Sequence, residues 1–130
     1  MELIAALQQL FTDFQKRTGI TCDVWLQEEA FTIDIESAYA IYRVVQEGLI
    51  NIRNHSKASY ETVKISVTTS SLSITIKDNG IGVNQEKIND HSSFGIIGMR
   101  ERILGMKGSI KFKGIPEKGT TVHLKVPISI

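Results

Sequence analysis

The chain has 130 residues, of which 42% are hydrophobic, enough for one cored domain and short for two. Fifteen Lys and Arg against fourteen Asp and Glu leave a net charge of +1, so the chain has neither the polybasic footprint of a nucleic-acid binder nor an acidic tail. Cys22 is the single cysteine, which excludes an intrachain disulfide framework and a multi-cysteine metal knuckle, and no apolar run approaches the roughly 18 residues that span a bilayer.

Leu3, Leu7, Leu10 and Phe14 recur at three- and four-residue steps, which predicts a helix from Met1 to Arg17 that Thr18-Gly19 ends. Its acidic Glu2 and Asp13 and few cations favour core packing over a membrane surface. Ile20, Cys22, Val24 and Leu26 then alternate with Thr21, Asp23 and Trp25, the period of a half-buried strand, with Trp25 on the face open to another surface. Asp34 is placed to cap a second helix, whose buried stripe is Ala38, Ile41, Tyr42, Val45, Leu49 and Ile52. Val63, Ile65 and Val67, and after Thr69-Ser70-Ser71 the residues Leu72, Ile74 and Ile76, predict an antiparallel hairpin ending at Lys77-Asp78. Residues 83–94 are polar and without apolar periodicity, which predicts a mobile loop. A glycine-flanked helix over Ile97–Met106 follows, then strands Ser109–Lys113 and Thr121–Val126 around a breaker-rich turn. The expected architecture is α/β: one sheet with helices over one face.

Three segments carry the chemistry. Glu47, Asn51 and His55 lie four apart, so in an α-helix each is offset about 40° from the last and the three form one polar stripe. A carboxylate, a carboxamide and an imidazole there offer hard oxygen ligands for Mg²⁺, a proton acceptor and a hydrogen-bond donor, although a solvated helix face looks the same. Gly48 beside Glu47 costs the helix roughly 1 kcal/mol relative to Ala, which suggests a close approach to the backbone. Asp78-Asn79-Gly80-Ile81-Gly82 places an acid at a strand end, followed by glycines that permit unusual backbone. Gly95 and Gly98 open the third helix, whose N-terminal N–H groups, with Arg100 and Arg102 nearby, make an anion site.

Taken in this order, the segments resemble the ATP-binding catalytic domain of two-component sensor histidine kinases, within the gyrase/Hsp90/histidine kinase/MutL superfamily. VVQEGLINIRNHSKAS is similar to that family's N box, DNGIG to its G1 box, SSFGIIGMRERILGMKG to its G2 region and EKGTTVHLKVPI to its closing strand. GMRER points to the nitrate-sensor-like branch, which pairs with helix-turn-helix response regulators.

The resemblance implies a two-layer Bergerat-type sandwich with a mixed sheet of about five strands and three main helices on one face. It implies ATP and Mg²⁺, with Asn51 as metal ligand and Glu47 beside the metal and γ-phosphate as the base. His55 and position 54 would reach the phosphates, and Asp78 would accept from the adenine amino group. Gly80 and Gly82 would pass close to the adenine, Phe94 would anchor a lid that Gly95 and Gly98 shape, and Thr120 would lie near Asp78. Asn54 stands where the family usually has Lys or Arg, Gly48 where it has Ala, and Lys107 where it has Gly. Arg53 is about 100° around an α-helix from position 54 and is not expected to stand in, so ATP binding should be modest.

His55, His91 and His123 fall in the N box, the loop and the last strand, so none is placed as a phosphoacceptor. The chain reads as a cytoplasmic catalytic fragment, monomeric in isolation, whose partners are the histidine-bearing dimerisation domain and a response regulator, with no nucleic acid or direct membrane contact. Two alternatives stand beside this: a degenerate ATPase-fold docking module, and a serine kinase or anti-sigma factor of the same superfamily.

Overall fold

The computed structural model describes residues 2–27, 30–82 and 95–128. Helix α1 (Leu3–Thr18) starts where the Glu2 side chain accepts from Ile4 N at 3.0 Å and ends at Gly19, whose φ of 75° turns the chain out. Its buried face is Leu3, Ile4, Leu7, Phe11 and Phe14; Leu10, expected on that face, lies at its half-buried flank because Phe11 sits directly over Leu7.

Strand β1 (Thr21–Gln27) runs parallel to β2 (Tyr60–Val67), and helix α2 (Ile35–Asn51) makes the crossover between them. Asp34 caps α2 as the sequence suggests, its Oδ2 accepting from Ser37 N at 3.0 Å. Strand β3 (Ser71–Asp78) pairs antiparallel with β2, then helix α3 (Ile96–Leu104) leads into β4 (Ser109–Ile115) and β5 (Gly119–Pro127). The sheet order is β1-β2-β3-β5-β4, a mixed five-stranded sheet with its one parallel pair at an edge. It agrees with the expected architecture.

Period-two alternation decides which side of the sheet the helices cover. Val63, Ile65, Val67, Leu72, Ile74, Ile76, Leu124 and Val126 are buried against Leu7, Phe11, Ile41, Leu49, Met99 and Ile103. The other side remains open: Trp25 is 60% exposed, and its Nε1 donates to Asp23 Oδ2, which also accepts from Tyr60. Two inward positions break the apolar pattern, Glu61 and Asp78, and both are buried. They lie opposite each other at the end of the β2–β3 ladder, beside the C-terminal end of α2.

Among the described residues no helix is long and apolar enough to cross a membrane.

Candidate nucleotide site

Asp78 is the last residue of β3 and points into the helical layer with 2% exposure. Its Oδ1 accepts from Gly80 N at 2.8 Å and from Thr120 N at 3.3 Å, so two backbone amides fix the carboxyl in place. Burial pushes its pKa up, while the two N–H donors pull it back toward the ionised form. Tight turns around this carboxyl explain two glycines. A Cβ on Gly80 would overlap the carbonyl of Ser56, and one on Gly119 would overlap that of Asp78. The sequence assigns Gly80 to a pass close to a ligand; the structure shows its close approach is to the protein's own backbone, where Ile81 N also donates to Ser56 O at 2.7 Å. Gly82, at φ 75°, likewise packs against Ile115.

The end of α2 supplies the second wall. Glu47 and Asn51 are half-buried one turn apart, as α-helical spacing requires, and Asn51 lines a cavity shared with Asp78 and Thr120. His55 follows in a π turn, Ile52–Ser56, where the helix widens so that N–H groups reach back five residues. Ser56 Oγ donates to Ile52 O at 2.8 Å inside this turn, and Lys57 at φ 54° ends it. His55 and Asn54 are exposed on the turn and His55 is not part of the cavity wall. On the same exposed turn, Arg53 Nε donates to Asn54 Oδ1 at 3.2 Å. Gly48 proves to be an opening rather than a contact point, since a Cβ there meets nothing within 4 Å among the described residues and Gly48 lines the cavity.

The start of α3 closes the third side. Gly95 is its N-cap at φ 66°, without a side-chain cap, and Glu47 Oε2 lies 3.6 Å from where a Gly95 Cβ would stand. The acid on α2 thus faces the positive end of α3. Gly98 is half-buried on the first turn, near Arg102. The Arg100 guanidinium lies 5.7 Å from the ring centroid of Phe112, a residue of the cavity wall. Phe94 and the rest of the expected 83–94 loop lie outside the described residues.

Between these walls is a cavity of about 40 Å³, apolar along Ile52, Ile76, Ile96, Phe112 and Val122, with Asp78 the one carboxyl among its described lining residues. At the edge of this apolar lining, the Asp78 carboxyl, held by two backbone amides, is a fixed acceptor for an N–H donor. Residues 36–130 match the family model described as histidine kinase-, DNA gyrase B- and HSP90-like ATPase. The chain belongs to this ATPase family. It is 37% identical over 129 residues to the signal transduction histidine-protein kinase/phosphatase DegS of Brevibacillus brevis, covering 98% of this chain and 33% of that protein. To the sensor histidine kinase LiaS of Bacillus subtilis it is 34% identical over 122 residues, 94% of this chain and 33% of the relative. The histidine kinase domain of the Erythrobacter litoralis EL346 blue-light activated kinase superposes with a TM-score of 0.77 at 20% identity, covering 97% of this chain and 61% of that one. The chain therefore spans about a third of the length of the curated relatives it matches.

Within this ATPase fold, Glu47 and Asn51 fit a magnesium ion. A carboxylate and a carboxamide oxygen one turn apart supply the one or two hard protein ligands that Mg²⁺ takes when phosphates and water complete its shell. No group of three or more His, Cys, Asp or Glu suited to a metal occurs among the described residues. Sequence reasoning missed Ser56, whose carbonyl holds Ile81, and Glu61, whose only sign is an acid in phase with Val63, Ile65 and Val67.

Proposed function

We propose that the chain is the ATP-binding catalytic domain of a sensor histidine kinase and transfers the γ-phosphate of ATP to a histidine on a dimerisation domain, for relay to a helix-turn-helix response regulator. The observation that carries this reading is Asp78, buried at the end of an apolar slot with its Oδ1 fixed by Gly80 and Thr120. Its carboxylate accepts from the adenine amino group while Gly48 leaves room for the ring. The α3 N-terminus at Gly95 and Gly98, with Asn54 and His55 from the π turn, receives the phosphates, and Arg53 supplies the cation that position 54 lacks. Asn51 and Glu47 hold Mg²⁺, which when bound neutralises phosphate charge. Phe94 anchors the segment that covers the nucleotide.

As the partner histidine nitrogen bonds to the γ-phosphorus and the bond to the ADP oxygen breaks, Glu47 accepts the imidazole proton. Positioning and charge neutralisation provide most of the acceleration. The family and the sensor-kinase relatives support this reading, as does a fold with no membrane-crossing helix among its described residues, which suits a cytoplasmic domain.

Calorimetric titration of ATP with and without Mg²⁺ tests it. Saturable binding should be lost in Asp78→Ala, and Asn51→Asp should abolish transfer to a supplied histidine domain. Wild-type transfer in both variants would refute the assignment.

A further inference from the structure

The helix-facing side of the sheet is apolar except along one rung. Cys22 on β1, Glu61 on β2 and Asp78 on β3 are successive register partners, and Thr120 on β5 completes the row through its N–H to Asp78. Glu61 has 0% exposure and no part in the site described above. Its Oε1 accepts from Cys22 Sγ at 2.8 Å, and its Oε2 is buried with no hydrogen-bond partner among the described residues. An ionised carboxylate so placed is strongly disfavoured, yet it stands directly across the ladder from the residue read as the adenine acceptor.

We propose that Glu61 is a positioning residue for nucleotide recognition: while it is neutral, Asp78 is the lone carboxylate of the rung and binds adenine, and ionisation of Glu61 weakens ATP binding. The proposal rests on the reading of Asp78 as adenine acceptor. Residues opposed across an antiparallel pair have Cβ atoms about 5 Å apart, and two carboxylates at that range in a water-poor interior do not both ionise readily. Burial pushes the Glu61 pKa up to about 7, against the pull of the Cys22 bond and with a further push from Asp78. Near neutral pH Glu61 is thus divided between its two forms. The groups that act on it are Cys22 from β1, which burial keeps as a thiol, and Asp78 from β3; no helical residue among those described contributes a charge.

ATP seated over Asp78 displaces water from the slot, which strengthens the repulsion between the two carboxylates, and its amino group requires Asp78 to be the ionised one. Binding is therefore linked to a proton on Glu61, and affinity is higher at pH 6 than at pH 8.

The test is calorimetric titration of ATP at fixed Mg²⁺ from pH 6 to 8 in wild type, Glu61→Gln, Cys22→Ala and Asp78→Asn, repeated in buffers of different ionisation enthalpy. Titration of the nucleotide itself is common to all four, so the ratio of wild type to Glu61→Gln isolates Glu61. Wild type should lose about fivefold or more in affinity relative to Glu61→Gln between pH 6 and 8, with net proton uptake on binding that Glu61→Gln lacks. Cys22→Ala removes the bond that lowers the Glu61 pKa and should move the midpoint to higher pH, an outcome that a purely structural role does not produce. Parallel pH profiles of wild type and Glu61→Gln, or an unmoved midpoint in Cys22→Ala, overturn the proposal. Wild-type affinity in Asp78→Asn overturns the adenine reading, and the proposal with it.

Discussion

Asp78 and Glu61 are neighbours with opposite sequence signatures, and each makes a prediction of its own. Asp78 announces itself by a strand-ending Asp-x-Gly-x-Gly, and Asn in its place keeps the shape while presenting an amide N–H₂ or a weaker acceptor to the adenine amino group. A buried charge-assisted hydrogen bond is worth about 1.5–3 kcal/mol, so Asp78→Asn should weaken ATP binding by roughly 10- to 150-fold in a titration. Glu61 governs stability as well as binding. Its folded pKa of about 7 stands above the ordinary value of 4.5, so between those limits the native state holds a proton that the unfolded chain has released. Stability should fall as pH rises through that window, by on the order of 3 kcal/mol, and level off above it. Urea unfolding at pH 5 and pH 8 checks this: Glu61→Gln should remove most of the difference and be more stable than wild type at pH 8.

At the scale of elements, helix ends and turns decide local stability. Asp34 caps α2 with its side chain on Ser37 N, and Asp34→Ala should cost about 1 kcal/mol by thermal unfolding. Gly48 is helical, with open space where a Cβ would stand, so Gly48→Ala should gain up to about 1 kcal/mol of stability. The resemblance that names Ala as usual at this position fits that expectation. Lys107 stands where the family usually has Gly, and the structure shows why: it follows α3 at φ 61°, a conformation that costs a side chain about 1–2 kcal/mol. Glycine there gives back part of this in unfolded-state entropy, so Lys107→Gly should stabilise by roughly 0.5–1 kcal/mol. The π turn had no sequence signal in apolar periodicity. A four-residue polar spacing assumes an α-helix throughout, whereas Ile52–Ser56 is a π turn, on which Arg53 Nε donates to Asn54 Oδ1.

For the whole molecule, the site joins α2, the turn after β3, α3 and β5, so nucleotide binding should stabilise the fold as a unit. At 100 times its Kd, ATP should add about 2.7 kcal/mol to unfolding stability, and thermal denaturation of Asp78→Asn at the same ATP concentration should show little of that gain.

Composition, period-two strands and the 3.6-residue stripes of α1 and α2 determined an α/β fold with helices on one side of a sheet, because burying apolar faces leaves few other solutions. The strand end at Asp78 and the tight turn that follows it were equally legible, since glycine and acid at a strand end constrain the backbone within a few residues. Only the tertiary structure decided what depends on neighbours distant in the chain. The pairing of β1 with β2 and β2 with β3 sets Cys22, Glu61 and Asp78 in one rung, and no local pattern encodes a register between strands 39 and 17 residues apart. The approach of Ser56 to Gly80 and of Gly119 to Asp78, which shapes the acceptor, arises in the same way from segments that meet only when the sheet closes.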